Sequence, residues 1–258
     1  MITAGIDMGA AYSKVAILED GKVIGKAESK TTLEPEESVE RARELALKDA
    51  NIDPEQISAV GVTGSGRSLI KDADVSVTDV TADAAGAHYF DKDVRTVIDI
   101  GGEEARAVKI DGTGKVINFA VNDKCAAGAG AFVEAMSRAL EISMDDFAAY
   151  SLKSTERIAI NAQCAIFAES EVVSLISDEV GREDICRAVH DGISERITSM
   201  AKKVQIEDKV ALIGGAVLNR GLVQSLKDDL GTEPTVLADA QFVSAVGAAI
   251  LAAKGSEG

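Results

Sequence analysis

The chain has 258 residues, 46% of them hydrophobic, which favours a folded protein with a sizeable core over a disordered one. Its formal net charge of −16 at pH 7 argues against nucleic acid or an anionic membrane surface as the main partner. The first residues lack the pattern of a signal peptide, no apolar stretch is long enough to cross a bilayer, and three cysteines do not make a disulfide framework. We therefore expect a cytoplasmic protein with reduced thiols that binds neither nucleic acid nor membrane.

The first predicted element is a β-meander. Residues 5–30, "GIDMGAAYSKVAILEDGKVIGKAESK", begin with an apolar strand that ends in Ile-Asp-x-Gly and continue through a small turn into a second strand. The pair Asp20-Gly21 lies between apolar runs, which is a strong hairpin signal and leads to a third strand. A three-stranded antiparallel unit is therefore expected near the start of the chain.

Three further elements follow the meander in the first half of the chain. Residues 35–50, "PEESVERARELALKDA", place apolar side chains at helical spacing, and Pro35 suits the first turn of a helix. Residues 56–65, "QISAVGVTGS", predict a strand that runs into a glycine-rich turn. Residues 78–90, "TDVTADAAGAHYF", predict a helix that leads out of this half.

Residues 97–124, "VIDIGGEEARAVKIDGTGKVINFAVNDK", repeat the pattern of the first meander. Asp7 aligns with Asp99, and a Gly-Lys-Val sequence begins the third strand in both units. Chance resemblance between two hairpins is the alternative. Helices follow the repeat, then a strand in "KVALIGGAVLNRGLV" and a last helix in "FVSAVGAAILAA". Two related meanders, each followed by helices, predict an α/β fold with a domain boundary near residue 92.

Each meander begins with a strand that ends in Asp-x-Gly, a pattern that suits phosphate binding. Glycine lets backbone N–H groups approach a phosphate without a Cβ in the way, and an aspartate beside the phosphates can hold Mg²⁺ directly or through water. Gly214 and Gly215 follow a third apolar strand, where a base or ribose could lie against bare backbone. Any one of these turns is ordinary; the three together favour a nucleotide triphosphate gripped from both sides.

This arrangement resembles the actin–Hsp70–sugar kinase superfamily of ATPases. The resemblance covers nearly the whole chain and implies duplicated ribonuclease-H-like domains with mixed β-sheets. It places the first domain at residues 1–92 and the second at 93–238, with the C-terminal helix, 239–258, packing back on the first domain. It also implies that ATP or ADP binds with Mg²⁺ between the domains.

The resemblance implies a role for each candidate site residue. Asp7 and Asp99 would position Mg²⁺ and water, and Glu103 is a candidate base or a tolerated change. Lys14 is a candidate phosphate ligand, with a solvated surface lysine as the alternative. The candidate nucleotide-binding residues are Gly9, Ser13, Lys14, Gly101, Gly102, Gly214, Gly215 and Asn219.

Two cysteine motifs lie outside the general superfamily pattern. Cys125 stands in "NDKCAAGAGAF" and Cys164 in "NAQCAIFAESEVVSLIS", each before a predicted helix. From spacing alone, packing as small core residues is an open alternative. The motifs resemble a narrower family, the ATPase activators of 2-hydroxyacyl-CoA dehydratases and the ATPase subunits of benzoyl-CoA reductases. That resemblance implies that Cys125 and Cys164 ligate a [4Fe–4S] cluster shared between two subunits.

The chemistry of such a cluster agrees with this implication. A [4Fe–4S] cluster takes four thiolate ligands, so two chains, identical or paralogous, would supply two each. Unpaired N–H groups at a helix start would stabilise the thiolates and the negative cluster. Cys186 is expected inside a helix as a packing residue, and His190 has no second ligand at metal-binding spacing.

The phosphate turns depart from the family pattern in two places. Ala10 and Ala11 stand where Ser or Thr is usual, and the second turn has Glu103 and Glu104 in place of Gln-Asp. These departures favour a benzoyl-CoA reductase subunit over a dehydratase activator.

The sequence therefore predicts an ATPase coupled to electron transfer. A ferredoxin-like donor would reduce the cluster, and ATP hydrolysis would drive low-potential electrons to a partner iron–sulfur reductase acting on an aromatic acyl-CoA. The alternative is an activator of a 2-hydroxyacyl-CoA dehydratase. A small-molecule kinase, which would leave the cysteine motifs unexplained, and a non-redox, nucleotide-switched regulatory protein are the other possibilities.

Overall fold

The computed structural model describes residues 1–122, 129–160, 165–207 and 209–255. Cys125 and Cys164, the two predicted cluster ligands, lie outside the described residues. Within them the chain forms two five-stranded mixed sheets and eight α-helices, which confirms the predicted α/β class with mixed β-sheets.

The first sheet has the strand order β3-β2-β1-β4-β5. The β1-β2-β3 unit is an antiparallel meander, and β4 and β5 add to it in parallel. The predicted hairpin turn lies between β2 and β3, where Asp20 and Gly21 have φ of 49° and 77°, as a tight two-residue hairpin requires. The strands are β1 (Ile2–Met8), β2 (Tyr12–Glu19), β3 (Lys22–Lys30), β4 (Ala59–Thr63) and β5 (Val75–Ser76).

The second sheet repeats the topology of the first, with the order β10-β9-β6-β7-β8. Its β6-β7-β8 unit is the second antiparallel meander, and β9 and β10 add in parallel. Strand β6 is buried along its whole length because it lies between β7 and β9 and is covered on both faces. The strands are β6 (Thr96–Ile100), β7 (Ala105–Ile110), β8 (Val116–Val121), β9 (Val210–Ile213) and β10 (Thr235–Val236).

Helices cover both faces of each sheet. The predicted helices near the start, in the middle and at the end of the chain are confirmed, and Pro35 does open the first one. No helix of the described residues is long and apolar enough to cross a membrane. The helices are α1 (Pro35–Ala50), α2 (Asp79–Phe90), α3 (Ala129–Ala139), α4 (Met144–Ser151), α5 (Ala165–Ser177), α6 (Arg182–Ala201), α7 (Arg220–Leu230) and α8 (Val243–Gly255).

Four apolar clusters show how the layers stack. Helix α1 packs on one face of the first sheet and α8 on the other. Helix α2 packs on one face of the second sheet, and α3, α6 and α7 cover its opposite face. Since α2 and α8 also pack on each other, they form the layer between the two sheets.

Helices α2 and α8 approach so closely that only glycine fits at their contact. A Cβ added to Gly247 would lie 1.9 Å from the carbonyl oxygen of Ala82, and one added to Gly86 would lie 2.0 Å from that of Val243. Real side chains never approach backbone so closely, so the absence of a Cβ at both positions allows the two helices to lie this close.

Candidate nucleotide-binding cleft

A cleft of about 760 Å³ opens where the carboxyl ends of β1 and β6 face each other. The duplicated topology explains its position, because equivalent strands of the two sheets end at the same place. Asp7 and Asp99, the two aligned aspartates, both line it. The other candidate site residues on its wall are Gly9, Lys14, Gly101, Gly102, Glu103, Gly214, Gly215 and Asn219.

Asp7 is paired with Lys14 on the neighbouring strand. The two residues are register partners in the β1–β2 ladder, and Lys14 Nζ lies 3.1 Å from Asp7 Oδ2. Burial opposes the charge on the amine, but the charge and hydrogen bond of Asp7 outweigh it, so the pKa of Lys14 is raised. The side chain is only 13% exposed, so the alternative of a solvated surface lysine is wrong.

Asp99 is paired in the same way with Arg106. Arg106 was not among the site residues predicted from the sequence. Asp99 and Arg106 are register partners in the β6–β7 ladder, with Nη1 2.5 Å from Oδ2. Arg106 Nη2 also lies 2.9 Å from Glu104 Oε2 and 3.4 Å from Asp79 Oδ1. All three residues line the cleft. The internal repeat could have identified Arg106, because Lys14 follows Asp7 at the same seven-residue spacing.

A second buried carboxylate, Asp83 on α2, faces the same arginine. Its Oδ1 accepts a hydrogen bond from Ser244 at 2.6 Å, and its Oδ2 lies 3.9 Å from Arg106 Nη1. Burial, then the charge of Asp99, raises the pKa of Asp83 well above its usual range. Burial also raises the pKa of Asp99 to about 6, against the opposing effect of Arg106. Asp83 therefore lies behind the wall of the cleft and shares Arg106 with Asp99.

The two carboxylates at the strand ends, Asp7 and Asp99, could hold a divalent cation. No group of three or more His, Cys, Asp or Glu side chains surrounds a common point in the described part of the chain. The protein therefore offers Asp7 and Asp99 rather than a complete cage. That suits Mg²⁺, which usually takes one or two carboxylates and completes its shell with phosphate oxygens and water.

Ser13 lies outside the cleft, contrary to the sequence prediction that it binds the nucleotide. Side chains alternate along a strand, so Tyr12 and Lys14 face the cleft and Ser13 points to the opposite side, fully buried. Its hydroxyl lies 3.3 Å from that of Thr31, which donates a hydrogen bond to the carbonyl oxygen of Gly9 at 2.9 Å. Ser13 therefore supports the first turn from behind.

The second turn is held by backbone hydrogen bonds on two sides. The N–H of Gly101 donates to the carbonyl oxygen of Glu104 at 2.9 Å, which closes the turn. The carbonyl oxygens of Gly101 and Gly102 accept from the N–H groups of Gly130 and Ala131 at the start of α3. Glu103, also in this turn, is exposed and lines the cleft.

The third turn joins β9 to α7. Gly214 has a φ of 91°, and a Cβ there would lie 2.4 Å from the Ile100 carbonyl oxygen and 2.5 Å from Asp99 Oδ1. Only glycine fits both the conformation and the space. Asn219 caps α7 through Oδ1, which accepts from the N–H groups of Gly221 and Leu222. Its Nδ2 is buried and has no hydrogen-bond partner among the described residues.

The one cysteine that the described residues include is Cys186. It is fully buried on α6, which confirms its expected packing role. Burial, then the nearby charge of Glu183, raises the pKa of the thiol to about 12. Cys186 is therefore a neutral thiol packed inside the core.

The sequence matches the model of the BadF/BadG/BcrA/BcrD ATPase family over residues 4–252. The chain belongs to this family. The matched range includes every residue of the cleft described above and spans nearly the whole chain, so the resemblance drawn from the sequence is confirmed.

The relatives of this chain include dehydratase activators and a benzoyl-CoA reductase subunit. The activator of lactoyl-CoA dehydratase from Anaerotignum propionicum is 37% identical over 98% of this chain and 97% of its own. A benzoyl-CoA reductase component from Thauera aromatica is 28% identical over 96% of this chain and 92% of its own.

A solved structure extends the likeness to the fold. The activator of the 2-hydroxyisocaproyl-CoA dehydratase from Clostridium difficile, with bound ADPNP, has a TM-score of 0.92 and 32% identity. That match covers 100% of this chain and 96% of the other. The chain therefore shares the fold of a relative whose structure was solved with ADPNP bound.

Proposed function

We propose that the chain is a nucleotide-driven electron donor that activates a 2-hydroxyacyl-CoA dehydratase. The observation that supports it best is the cleft, where two aligned aspartate–cation pairs and two glycine turns face each other. The names of the more similar relatives favour a dehydratase activator, whereas the benzoyl-CoA reductase component is less similar. The comparisons thus favour the alternative interpretation of the sequence over the main one.

In this proposal ATP with Mg²⁺ occupies the cleft. Asp7 and Asp99 orient the metal and water, and Lys14 and Arg106 limit the repulsion between these carboxylates and the phosphates. Glu103, at the lip, is the candidate that orients the attacking water. Backbone N–H groups of the glycine turns contact phosphates or adenosine; these residues are Gly9, Gly101, Gly102, Gly214 and Gly215, with Asn219 as a side-chain donor.

Cys125 and Cys164 would hold one half of a [4Fe–4S] cluster. With Cys186 fully buried in the core, each chain offers two thiolates, so the other two would come from a second copy or a paralogue. When bound, the cluster supplies a one-electron carrier. The chain's own part is to hold the thiolates on segments that precede α3 and α5, and to change their position with the nucleotide.

Two kinds of protein partner follow from this function. A ferredoxin-like protein would supply the electron, and a dehydratase component would receive it. The acyl-CoA would bind to that component, because the cleft of this chain is accounted for by the nucleotide.

Iron analysis of cysteine variants purified without oxygen tests the proposal. We expect about four irons per dimer in the wild-type protein and in Cys186→Ser, and severe iron loss in Cys125→Ser and Cys164→Ser, because serine is a poor ligand here. Cys186→Ser is the matched control. Wild-type protein that hydrolyses ATP but contains no iron would contradict the electron-donor function and favour a nucleotide-switched regulatory protein.

A further inference from the structure

We propose that Asp83 is a positioning residue that receives the guanidinium of Arg106 when a divalent cation occupies the Asp99 carboxylate. Arg106 then exchanges its partner on β6 for partners on α2. The inference rests on the proposed function for the presence of a divalent cation in the cleft, and on the contacts of Arg106 for its geometry.

The Asp99 carboxylate is already occupied by a cation of the protein. Its side chain is only 7% exposed, and Oδ2 lies 2.5 Å from Arg106 Nη1. The other oxygen, Oδ1, lies beside Gly214, where an added Cβ would be 2.5 Å from it. Two cations on one carboxylate repel each other, and the repulsion is stronger where water is largely excluded. A divalent cation at Asp99 therefore weakens the hold of this carboxylate on Arg106.

Two carboxylates on α2 lie within reach of the displaced guanidinium. Arg106 Nη2 is 3.4 Å from Asp79 Oδ1, and Nη1 is 3.9 Å from Asp83 Oδ2. Asp79 and Asp83 are one helical turn apart in the sequence, so they share a face of α2. Because charge-assisted hydrogen bonds measure about 2.8 Å, a shift of about 1 Å toward α2 is enough to bring both nitrogens into bonding distance.

Asp83 has a carboxylate oxygen that lacks a donor. The residue is fully buried, and Oδ1 accepts a hydrogen bond from Ser244 Oγ at 2.6 Å. Oδ2 is also buried, but it has no hydrogen-bond partner among the described residues. A buried acceptor without a donor is unfavourable. Arg106 faces this oxygen, so the shift satisfies an acceptor that the present arrangement leaves unsatisfied.

The other carboxylates near the guanidinium are less suited to retain it. The side chain of Glu104 is 50% exposed and that of Asp79 is 17% exposed, whereas that of Asp83 is fully buried. Ion pairs are weaker where water and salt screen them. Asp83 is therefore the residue whose loss should leave Arg106 on Asp99, in competition with the divalent cation.

Three variants separate this role from a structural one. Asp83→Asn keeps the shape of the side chain and an acceptor for Ser244, but it removes the negative charge. Arg106→Gln removes the competing cation. Asp191→Asn is the matched control, because Asp191 is a buried aspartate that is paired with Arg187 on α6 and does not line the cleft.

The first measurement is the binding of Mn²⁺, a paramagnetic substitute for Mg²⁺, to full-length protein with saturating ADP. Electron paramagnetic resonance of the free ion gives the affinity. We expect Asp83→Asn to weaken Mn²⁺ binding about tenfold, because Arg106 then stays on Asp99. The same substitution added to Arg106→Gln should change the affinity by about twofold or less, since no guanidinium competes. Asp191→Asn should bind Mn²⁺ as the wild type does.

A crystal structure of the wild type with Mg²⁺ and ADPNP is the second measurement, and it does not depend on the folding of any variant. Arg106 Nη1 should lie within about 3.2 Å of Asp83 Oδ2 and beyond hydrogen-bonding distance of Asp99 Oδ2. An arginine still bonded to Asp99 beside a bound cation would overturn the inference. Undiminished Mn²⁺ affinity in Asp83→Asn, or an equal loss with and without Arg106, would also overturn it.

Neither measurement depends on iron, so the outcomes distinguish this inference from the proposed function. Iron-free protein that shows the exchange of Arg106 would overturn the electron-donor function and support the inference. Protein that contains its iron and keeps Arg106 on Asp99 with the cation bound would overturn the inference and leave the electron-donor function in place.

Discussion

Each half of the chain pairs an aspartate at a strand end with a cation seven residues further on. Antiparallel register across a short turn brings Asp7 beside Lys14 and Asp99 beside Arg106. Arg106 also faces Asp79 and Asp83 on α2, whereas the carboxylates that act on Lys14 besides Asp7 are Asp99 and Glu28. The two pairs have therefore diverged in their surroundings, because the cation of the second pair also meets carboxylates of α2.

Asp7→Asn should lower ATP hydrolysis by about a hundredfold or more and leave iron content unchanged, because this carboxylate serves the metal and phosphates and not the cysteines. Steady-state kinetics and iron analysis of the same preparation check this. Asp20→Asn, at an exposed turn, is the matched control and should hydrolyse ATP normally. Turnover close to wild type in Asp7→Asn would remove this residue from the active site.

His190 makes stability depend on pH. It is fully buried on α6, with Nδ1 2.8 Å from Ser151 Oγ, and burial, then the charge of Arg187, lowers its pKa to about 3. In the unfolded chain His190 binds a proton below about pH 6.5, whereas in the folded chain it stays neutral until the pH approaches about 3. Stability from this group is therefore full above about pH 6.5 and is lost as pH falls toward 3.

The His190 contribution to the free energy of unfolding should fall by about 2 kcal/mol between pH 7 and pH 5. Urea unfolding at both pH values should show this loss in wild type and in His88→Asn but not in His190→Asn. Carboxylates titrate in all three proteins and cancel in the difference. An equal pH dependence in wild type and His190→Asn would mean that His190 is not held neutral.

The elements that the sequence predicts correctly are those that depend on residues close together in the chain. The apolar spacing of α1, the proline that opens it and the Asp-Gly turn between β2 and β3 are all visible in consecutive residues. The alignment of Asp7 with Asp99 was also sufficient to place two strand ends in one cleft.

Contacts between distant residues could not be predicted in the same way. Nothing near Arg106 in the chain shows that Asp79, on α2, lies 3.4 Å away. Ser13 was assigned to the nucleotide by its hydroxyl, although strand alternation turns it away from the cleft. The two-residue strands β5 and β10 are too short to leave a periodic signal.

The layer formed by α2 and α8 should fail if the two helices are forced apart. Gly247→Ala places a methyl group where Ala82 oxygen already lies, so we expect a loss of about 3 kcal/mol in the free energy of unfolding. Helix propensity acts in the opposite direction, by about 1 kcal/mol.

Urea unfolding of Gly247→Ala measures this loss, with Gly112→Ala as the control. At Gly112 the nearest atom to an added Cβ is Arg95 Nη2 at 3.5 Å, so that variant should stay within about 0.5 kcal/mol of wild type. A Gly247→Ala protein as stable as wild type would show that the close contact between the helices does not limit packing.

For the whole molecule, the cleft lies between two halves that share a central helical layer. Each half supplies one phosphate turn, one aspartate and one cation to the cleft. A ligand that contacts both turns therefore favours one relative arrangement of the halves. If the proposed cluster senses that arrangement, the nucleotide site and the cluster are thermodynamically linked.

Linkage makes a reciprocal prediction. If a nucleotide lowers the midpoint potential of the cluster, the oxidised protein must bind that nucleotide more tightly by the same free energy. For a one-electron couple, a fall of about 59 mV corresponds to about tenfold tighter binding to the oxidised form. We expect ADP and ADPNP to shift the potential by different amounts, because only ADPNP places a third phosphate between the turns.

Redox titration without nucleotide, with ADP and with ADPNP gives the shifts, and binding measurements on oxidised and reduced protein give the affinity ratios. AMP, which has a single phosphate, is the control and should shift the potential least. Potential shifts that agree with the affinity ratios would establish that nucleotide binding and cluster reduction are thermodynamically coupled. Identical potentials and affinities in every nucleotide state would contradict an ATP-gated electron donor, and would leave the cluster only the role of joining two subunits.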